Sequence, residues 1–148
     1  MKSLELYIDG ASKGNPGPAG IGAIICKDGK VIKNLSFYIG ESTNNVAEYS
    51  AMIYGLQEAL ILGAERIKIN TDSQLLYKQL KKEYRVKDPK IFVLYQQVEH
   101  LLSGFKEKEI NFILRKYNRA ADKLANLAIK SQQKGSLIEQ KVMAAPNF

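Results

Sequence analysis

Four acidic side chains stand near the ends of predicted strands and helices, which is where α/β proteins build their sites. Asp9 ends an apolar strand, and Asp72 follows a second short strand. Glu48 and Asp122 lie in the first turns of two predicted helices. Each acid also has a purely structural explanation as a turn residue, a capping-box partner of Asn45, an N-cap, or a residue favoured by the helix dipole.

Carboxylates gathered in one place repel each other and take up protons unless cations neutralise them. All-oxygen ligands select hard ions such as Mg²⁺ or Mn²⁺, and the chain offers no Cys/His cluster for zinc. Two such ions about 3.5–4 Å apart are suited to the in-line attack of water on a phosphodiester. If the four acids converge, they predict a metal-dependent phosphodiester hydrolase.

The charge of the chain favours a polyanionic partner, because the formal net charge is +7. The segment from Tyr77 to Lys90 is particularly basic, with Lys81, Lys82 and Arg85 at its centre. It is either a patch that contacts phosphates or the solvated basic end of a helix, which the helix dipole would favour.

The composition is that of an ordinary globular domain, with 148 residues, 45% hydrophobic and 25% charged. We assign residues 1–134 to this domain and residues 135–148 to a C-terminal tail that could dock on it. The single cysteine excludes an internal disulfide. No apolar run approaches the roughly 18 residues of a membrane span, and no signal sequence is evident. We therefore expect a cytoplasmic, monomeric protein that does not contact membranes.

Hydrophobic periodicity predicts the order strand, strand, strand, helix, strand, helix, helix, strand, helix. The predicted strands cover residues 3–9, 20–26, 31–39, 66–70 and 108–114, and the helices cover 43–62, 72 to about 82, a segment starting at Asp88-Pro89, and 118 to about 132. The first three strands are antiparallel, and the later ones arrive through helical crossovers and are therefore parallel. The predicted fold is α/β, a mixed five-stranded sheet with helices on both faces.

Four segments of the chain match one family when they are taken together. They are residues 7–12 with 15–20, residues 43–48, residues 70–74 and residues 118–126. On these segments the chain resembles type 1 ribonuclease H over about residues 3 to 132. The resemblance implies the ribonuclease H-like fold and an endonuclease that cuts the RNA strand of an RNA–DNA hybrid, leaving 5′-phosphate and 3′-hydroxyl ends. It also implies two Mg²⁺ ions in the substrate complex, with Mn²⁺ as a substitute.

The resemblance also assigns roles by matching position. It makes the four acids the metal ligands and places a set of amide side chains in the minor groove of the hybrid. Amides both donate to and accept from 2′-hydroxyls and base edges, which is how RNA is distinguished from DNA. The small residues after Asp9 could let main-chain groups approach the hybrid backbone. The candidate substrate contacts are thus Gly10, Ala11, Ser12, Asn15, Asn44, Asn45 and Gln74, together with the basic residues Lys81, Lys82 and Arg85.

Two departures from the family pattern stand out. Many members carry a histidine in the loop before the last acid, whereas residues 115–121 contain none, so the chain resembles the His-lacking subgroup. The only histidine, His100, falls inside a predicted amphipathic helix. The Trp-containing basic protrusion of many bacterial members is also missing, since the chain has no Trp. Residues 78 to 90 could supply a reduced basic surface instead.

Three other functions stay open. The chain could be a different nuclease on the same fold, such as an exonuclease or a junction-cutting enzyme. It could also cut double-stranded RNA in addition to the hybrid. It could finally be a binding module without catalysis, although the complete set of acids argues against this. The amide set favours the hybrid-cutting enzyme.

Overall fold

The computed structural model describes residues 1–143 and the side chains of residues 1–132. The strands are β1 (Ser3–Ser12), β2 (Gly17–Lys27), β3 (Lys30–Ser42), β4 (Arg66–Thr71) and β5 (Glu107–Phe112). The helices are α1 (Asn44–Ile61), α2 (Gln74–Leu80), α3 (Pro89–Leu102) and α4 (Arg119–Met143), with a 3-10 turn at Arg115–Tyr117. This is the predicted order of elements.

The five strands form one mixed sheet in the order β3-β2-β1-β4-β5. The β1–β2 and β2–β3 pairs are antiparallel, and the β1–β4 and β4–β5 pairs are parallel. The predicted fold class is thereby confirmed. The parallel ladder between β1 and β4 ends at the pair Ile8–Thr71. Asp9 and Asp72 directly follow the two residues of this last pair, so the ladder delivers both carboxylates to the same edge of the sheet.

Helices cover both faces of the sheet. Helix α1 packs on β1 and β2 and carries α3 on its outer side, whereas α4 packs on β2, β3 and β1 from the opposite face. The core follows from the alternation along β1, where Leu4, Leu6 and Ile8 are buried. Leu6 contacts Gly55 of α1. The alternate positions of β1, including Asp9, therefore face the side of α4.

Glycines at two positions allow the helices to lie directly on the sheet. A Cβ at Gly10 would stand 2.2 Å from the carbonyl carbon of Ala47 and 2.4 Å from the Glu48 nitrogen. A Cβ at Gly22 would stand 2.1 Å from the carbonyl oxygen of Ala121. Asp9 pairs with Gly22 across β1 and β2. The two contacts therefore bring Glu48 on α1 and Asp122 on α4 to the same place as Asp9.

The strands around the Gly/Pro loop are longer than predicted. Residues 10–12 of β1 stay paired with residues 19–21 of β2. The prediction that Asp9 ends its strand is therefore wrong, because small residues continue the antiparallel ladder beyond it. Only the parallel ladder to β4 stops before Asp9.

The structure caps α1 and α2 without Glu48 or Asp72, contrary to the structural explanations that the sequence offers for these two acids. Thr43 caps α1, since its Oγ1 accepts from the Val46 nitrogen at 3.2 Å. Ser73 caps α2, since its Oγ accepts from the Leu76 nitrogen at 3.2 Å. The capping explanations for Glu48 and Asp72 therefore lose their support, and both carboxylates stay available for another role.

The ends of two helices differ from the prediction. Helix α2 stops at Leu80, because Lys82 adopts a left-handed backbone with a φ of 64°. Helix α4 continues to Met143 instead of ending near Gln132. Part of the predicted tail is therefore helical. Docking of the tail concerns side chains outside those described, and the division at residue 134 stays a prediction.

Membrane insertion has no support in the described helices. None of them combines the length and the apolar character that a bilayer crossing requires. The cytoplasmic location and the monomeric state stay predictions.

Replacing Gly22 by Ala should destabilise the fold by about 3 kcal/mol, because the new methyl group overlaps backbone atoms that cannot move independently of α4. Urea denaturation of the metal-free protein measures the effect. Gly104→Ala is the matched control, since its Cβ would stand 3.2 Å from the Leu60 side chain and 3.3 Å from the Leu101 carbonyl oxygen, well beyond the overlap at Gly22. A destabilisation by Gly22→Ala no larger than that of the control would show that α4 does not depend on this contact.

Candidate active site

The structure brings the four predicted acids together at one cleft. Oxygen atoms of Asp9, Glu48 and Asp72 all lie within 4.8 Å of one another. Asp122 lines the same cleft from α4, and the cleft has a volume of about 390 Å³. Asp9 lies in β1, Glu48 in α1, Asp72 between β4 and α2, and Asp122 in α4, so only the folded chain assembles the group.

Burial dominates the electrostatics of this group. Asp9 is only 5% exposed. Burial raises the pKa of its carboxyl, and the neighbouring Glu48 charge raises that pKa further. Burial also raises the pKa of Glu48, although hydrogen bonds to Asp9 and the Gly10 backbone oppose the shift. The pKa of Asp72 is raised by burial as well, against the effects of Asn118 and Arg115. Without a cation, the group therefore tends to retain protons.

The donor set fits a divalent cation. The Oε2 atom of Glu48 is buried and has no hydrogen-bond partner among the described residues. It lies in a group whose ligand atoms are all carboxylate oxygens, the donors that hard ions such as Mg²⁺ and Mn²⁺ prefer. Asp9, Glu48 and Asp72 could therefore hold such an ion, with Asp122 beside them.

Two asparagines hold the acids in place, and sequence reasoning did not assign them this role. Asn118 is 1% exposed. Its Nδ2 donates to the Ile8 carbonyl at 2.7 Å and to Asp72 Oδ2 at 3.3 Å. The Nδ2 of Asn126 donates to Asp122 Oδ1 at 3.2 Å. A signal was present, because both asparagines lie four residues from Asp122, one helical turn to either side.

Arg115 is a further residue that the sequence did not indicate. It precedes α4 in the loop without histidine and lines the cleft. Its Nη2 lies 3.8 Å from Asp122 Oδ1. Its charge also lowers the pKa of Asp72, which opposes the effect of burial. This loop therefore places a permanent cation beside the acids.

The segment after Asp9 is tied to the start of α1. The Ser12 N–H donates to Asn44 Oδ1 at 3.0 Å, and the Asn44 N–H donates to Asn15 Oδ1 at 2.9 Å. Gly10, Ala11, Ser12 and Asn44 line the cleft with the acids. The small size of Gly10 serves the contact with α1. The structure thus gathers this part of the predicted contact set beside the acids.

The remaining predicted contacts lie around the cleft or away from it. Asn45 stands at the start of α1, and its Oδ1 is buried without a partner among the described residues. Gln74 is exposed in the first turn of α2, just after Asp72. Lys81 and Lys82 are exposed and line a separate cleft that also contains Glu99 and Glu109. The structure does not bring this basic patch to the acids.

Comparison with known proteins identifies relatives of the chain. A family model described as reverse transcriptase-like matches residues 7–128. Ribonuclease HI of Halobacterium salinarum is 40% identical over 127 residues, which cover 85% of this chain and 64% of the relative. The bifunctional protein Rv2228c of Mycobacterium tuberculosis is 41% identical over 128 residues, which cover 85% of this chain and 35% of the relative. The chain therefore spans about a third of the length of the mycobacterial relative.

Solved structures agree in fold. The crystal structure of RNase H1 from Halobacterium salinarum has a TM-score of 0.85 at 38% identity, covering 87% of this chain and 98% of that one. The structure of LC11-RNase H1 in complex with RNA/DNA hybrid has a TM-score of 0.83 at 34% identity, covering 88% of this chain and 99% of that one. With the family model matching most of its length, the chain belongs to the type 1 ribonuclease H family within the reverse transcriptase-like proteins.

Proposed function

We propose that the protein is a Mg²⁺-dependent endoribonuclease that hydrolyses the RNA strand of RNA–DNA hybrids and leaves 5′-phosphate and 3′-hydroxyl ends. The observation that carries the proposal is the convergence of four acids on one cleft, with oxygen atoms of three of them within 4.8 Å of one another. The hybrid-bound LC11-RNase H1 structure, at 34% identity, supports the choice of substrate.

The four acids would hold two Mg²⁺ ions in the substrate complex, with Mn²⁺ as a substitute. Such ions supply a Lewis acid that lowers the pKa of water and neutralises charge on the leaving oxygen. The chain itself positions these ligands. Asn118 ties Asp72 to the Ile8 carbonyl of β1, and Asn126 holds Asp122. Arg115 adds a positive charge where the phosphate would lie.

The amide side chains would then select the hybrid. The carbonyl oxygens of Asn15 and Asn44 already accept hydrogen bonds from main-chain N–H groups. Their Nδ2 groups are therefore the part left to donate to 2′-hydroxyls or base edges. Asn45 and Gln74, at the starts of α1 and α2, would extend this contact on either side of the acids.

Asp9→Asn and Asp72→Asn should each abolish Mg²⁺-dependent cleavage. Losing a metal ligand removes several kcal/mol of transition-state stabilisation, which corresponds to a rate loss of about 10³-fold or more. The assay follows a labelled RNA strand in a hybrid at saturating enzyme. Asp28→Asn is the control, because Asp28 is exposed in the β2–β3 turn, away from the acids. Near-normal cleavage by either site variant would contradict the proposed metal ligands.

The same assay decides the substrate class. Hybrid, double-stranded RNA, an RNA–DNA junction and double-stranded DNA are each offered with Mg²⁺, Mn²⁺ or EDTA. We expect cleavage of the hybrid with either metal and none with EDTA. Cleavage of double-stranded RNA or the junction at a comparable rate would widen the substrate class. Removal of single nucleotides from one end would point to an exonuclease.

Asp9→Asn should also stabilise the metal-free protein at pH 8 by about 1–2 kcal/mol. Burial and the neighbouring acids raise the pKa of Asp9, so folding at a pH above the unfolded pKa of this carboxyl costs free energy that a neutral amide avoids. Thermal unfolding at pH 8 in EDTA measures this effect. Adding saturating Mg²⁺ should raise the Tm of the wild type by about 5 °C or more, since only the folded protein assembles the site. The variant should respond much less. A variant less stable than the wild type in EDTA would show that carboxylate repulsion is not a significant cost.

Lys81→Gln/Lys82→Gln/Arg85→Gln should raise KM for the hybrid if the basic patch binds phosphates. The plot of log(kcat/KM) against log[salt] should become shallower by about 0.9 for each phosphate that the variant no longer neutralises. Lys27→Gln/Lys30→Gln, in the exposed β2–β3 turn, is the control. An unchanged slope would make the patch a solvated helix end.

A further inference from the structure

Basic side chains line a second cleft, directly beside the acidic one. The cleft has a volume of about 760 Å³. Its cationic lining comes from the 3-10 turn and the first turns of α4, and we call it the α4 basic surface: Arg115, Lys116, Arg119 and Lys123. The two clefts share Arg115 and Asp122, so they adjoin each other.

The positive charge of the α4 basic surface has little compensating negative charge around it. All four of its cations are exposed, and Asp122 is the only acid that lines the cleft among the described residues. In contrast, the cleft at Lys81 and Lys82 is lined by one further lysine, Lys108, and by two acids, Glu99 and Glu109. The α4 basic surface is therefore the stronger candidate for binding phosphates, although the predicted basic patch lies elsewhere.

An exposed aromatic ring adjoins these cations. Tyr117 is 65% exposed. The Nζ atom of Lys116 lies 5.1 Å from the centre of its ring. Basic side chains beside an exposed ring are typical of surfaces that bind a nucleic-acid strand, since the cations contact phosphates and the ring can stack on a base or sugar.

The position of the surface indicates which part of the substrate it meets. The amides at the start of α1 lie on one face of the sheet, and α4 lies on the other. The acids stand between them at the sheet edge. A strand that contacts these amides and crosses the acids therefore continues onto the α4 basic surface.

Resting on the proposed function, we propose that the α4 basic surface binds the phosphate backbone of the cut RNA strand, on the side of the scissile phosphate away from the amides of α1. The surface then holds the strand on both sides of the cut, with amide contacts on one side and charge on the other. Binding to this surface requires an RNA strand that extends past the acids toward α4.

The test uses Lys116→Gln/Lys123→Gln. Arg115 and Asp122 are left unchanged because both also line the acidic cleft. We expect KM for the hybrid to rise about tenfold, with kcat changed by less than about twofold. The salt slope of log(kcat/KM) should become shallower by about 2, since the variant neutralises two fewer phosphates. Lys27→Gln/Lys30→Gln removes the same charge from the opposite edge of the sheet and should leave both quantities at the wild-type values.

The length of the substrate adds a second readout. Hybrids are shortened stepwise from one end of the RNA or from the other. Shortening the end of the RNA that lies on the α4 basic surface should abolish the effect of the double variant on KM. Shortening the other end should leave that effect unchanged. A salt slope equal to that of the control, or a fall in kcat at unchanged KM, would overturn the proposal.

The result is separable from the proposed function. Cleavage by the wild type in the same assay reports on that function. If the wild type does not cut the hybrid, fluorescence anisotropy with the labelled hybrid in EDTA measures binding instead. Weaker binding by the double variant than by its control would then support the surface while the proposed activity fails. Equal binding by both variants would overturn the surface as well.

Discussion

The direct contact of two helices with the sheet determines this site. At Gly10 the backbone of α1 occupies the space of a side chain, and at Gly22 the backbone of α4 does the same. Gly10 follows Asp9 in β1, and Gly22 pairs with Asp9 across the ladder. Any larger residue would push a helix outward, and Glu48 or Asp122 would move away from Asp9 with it. The convergence of the acids thus depends on the absence of two side chains.

This packing creates an electrostatic cost. Burial raises the pKa values of Asp9, Glu48 and Asp72, and the charges of the neighbouring acids raise them further. The carboxylates therefore repel each other unless a cation neutralises them. Residues around the acids limit this cost. Asn118 donates to Asp72, and Arg115 lies close to Asp122. A group that is unfavourable in the free protein and favourable with a bound ion is expected where selection acts on activity more than on stability.

Neutral amides and positive charges stand at different places around the acids. The amide of Asn44 lines the acidic cleft at the start of α1, and Arg115 lines it just before α4. Hydrogen-bonding groups and positive charge would thus contact different parts of one substrate. The cations that line the acidic cleft are Lys13 and Arg115. Arg115 opens the basic segment 115–123, which is as informative as the basic segment between α2 and α3.

The sequence by itself determined the order of the elements, the mixed sheet and the identity of the four acids. Hydrophobic periodicity and the motifs around Asp9, Glu48, Asp72 and Asp122 are local properties of the chain. It could not assign Asn118, Asn126 and Arg115, because their roles depend on atoms that are distant in the sequence, such as the Ile8 carbonyl. It misplaced the end of β1, since small residues there extend a ladder whose partner lies on another strand. Only the tertiary structure decided which cations stand next to the acids, because that distance is set by how α4 packs on β2.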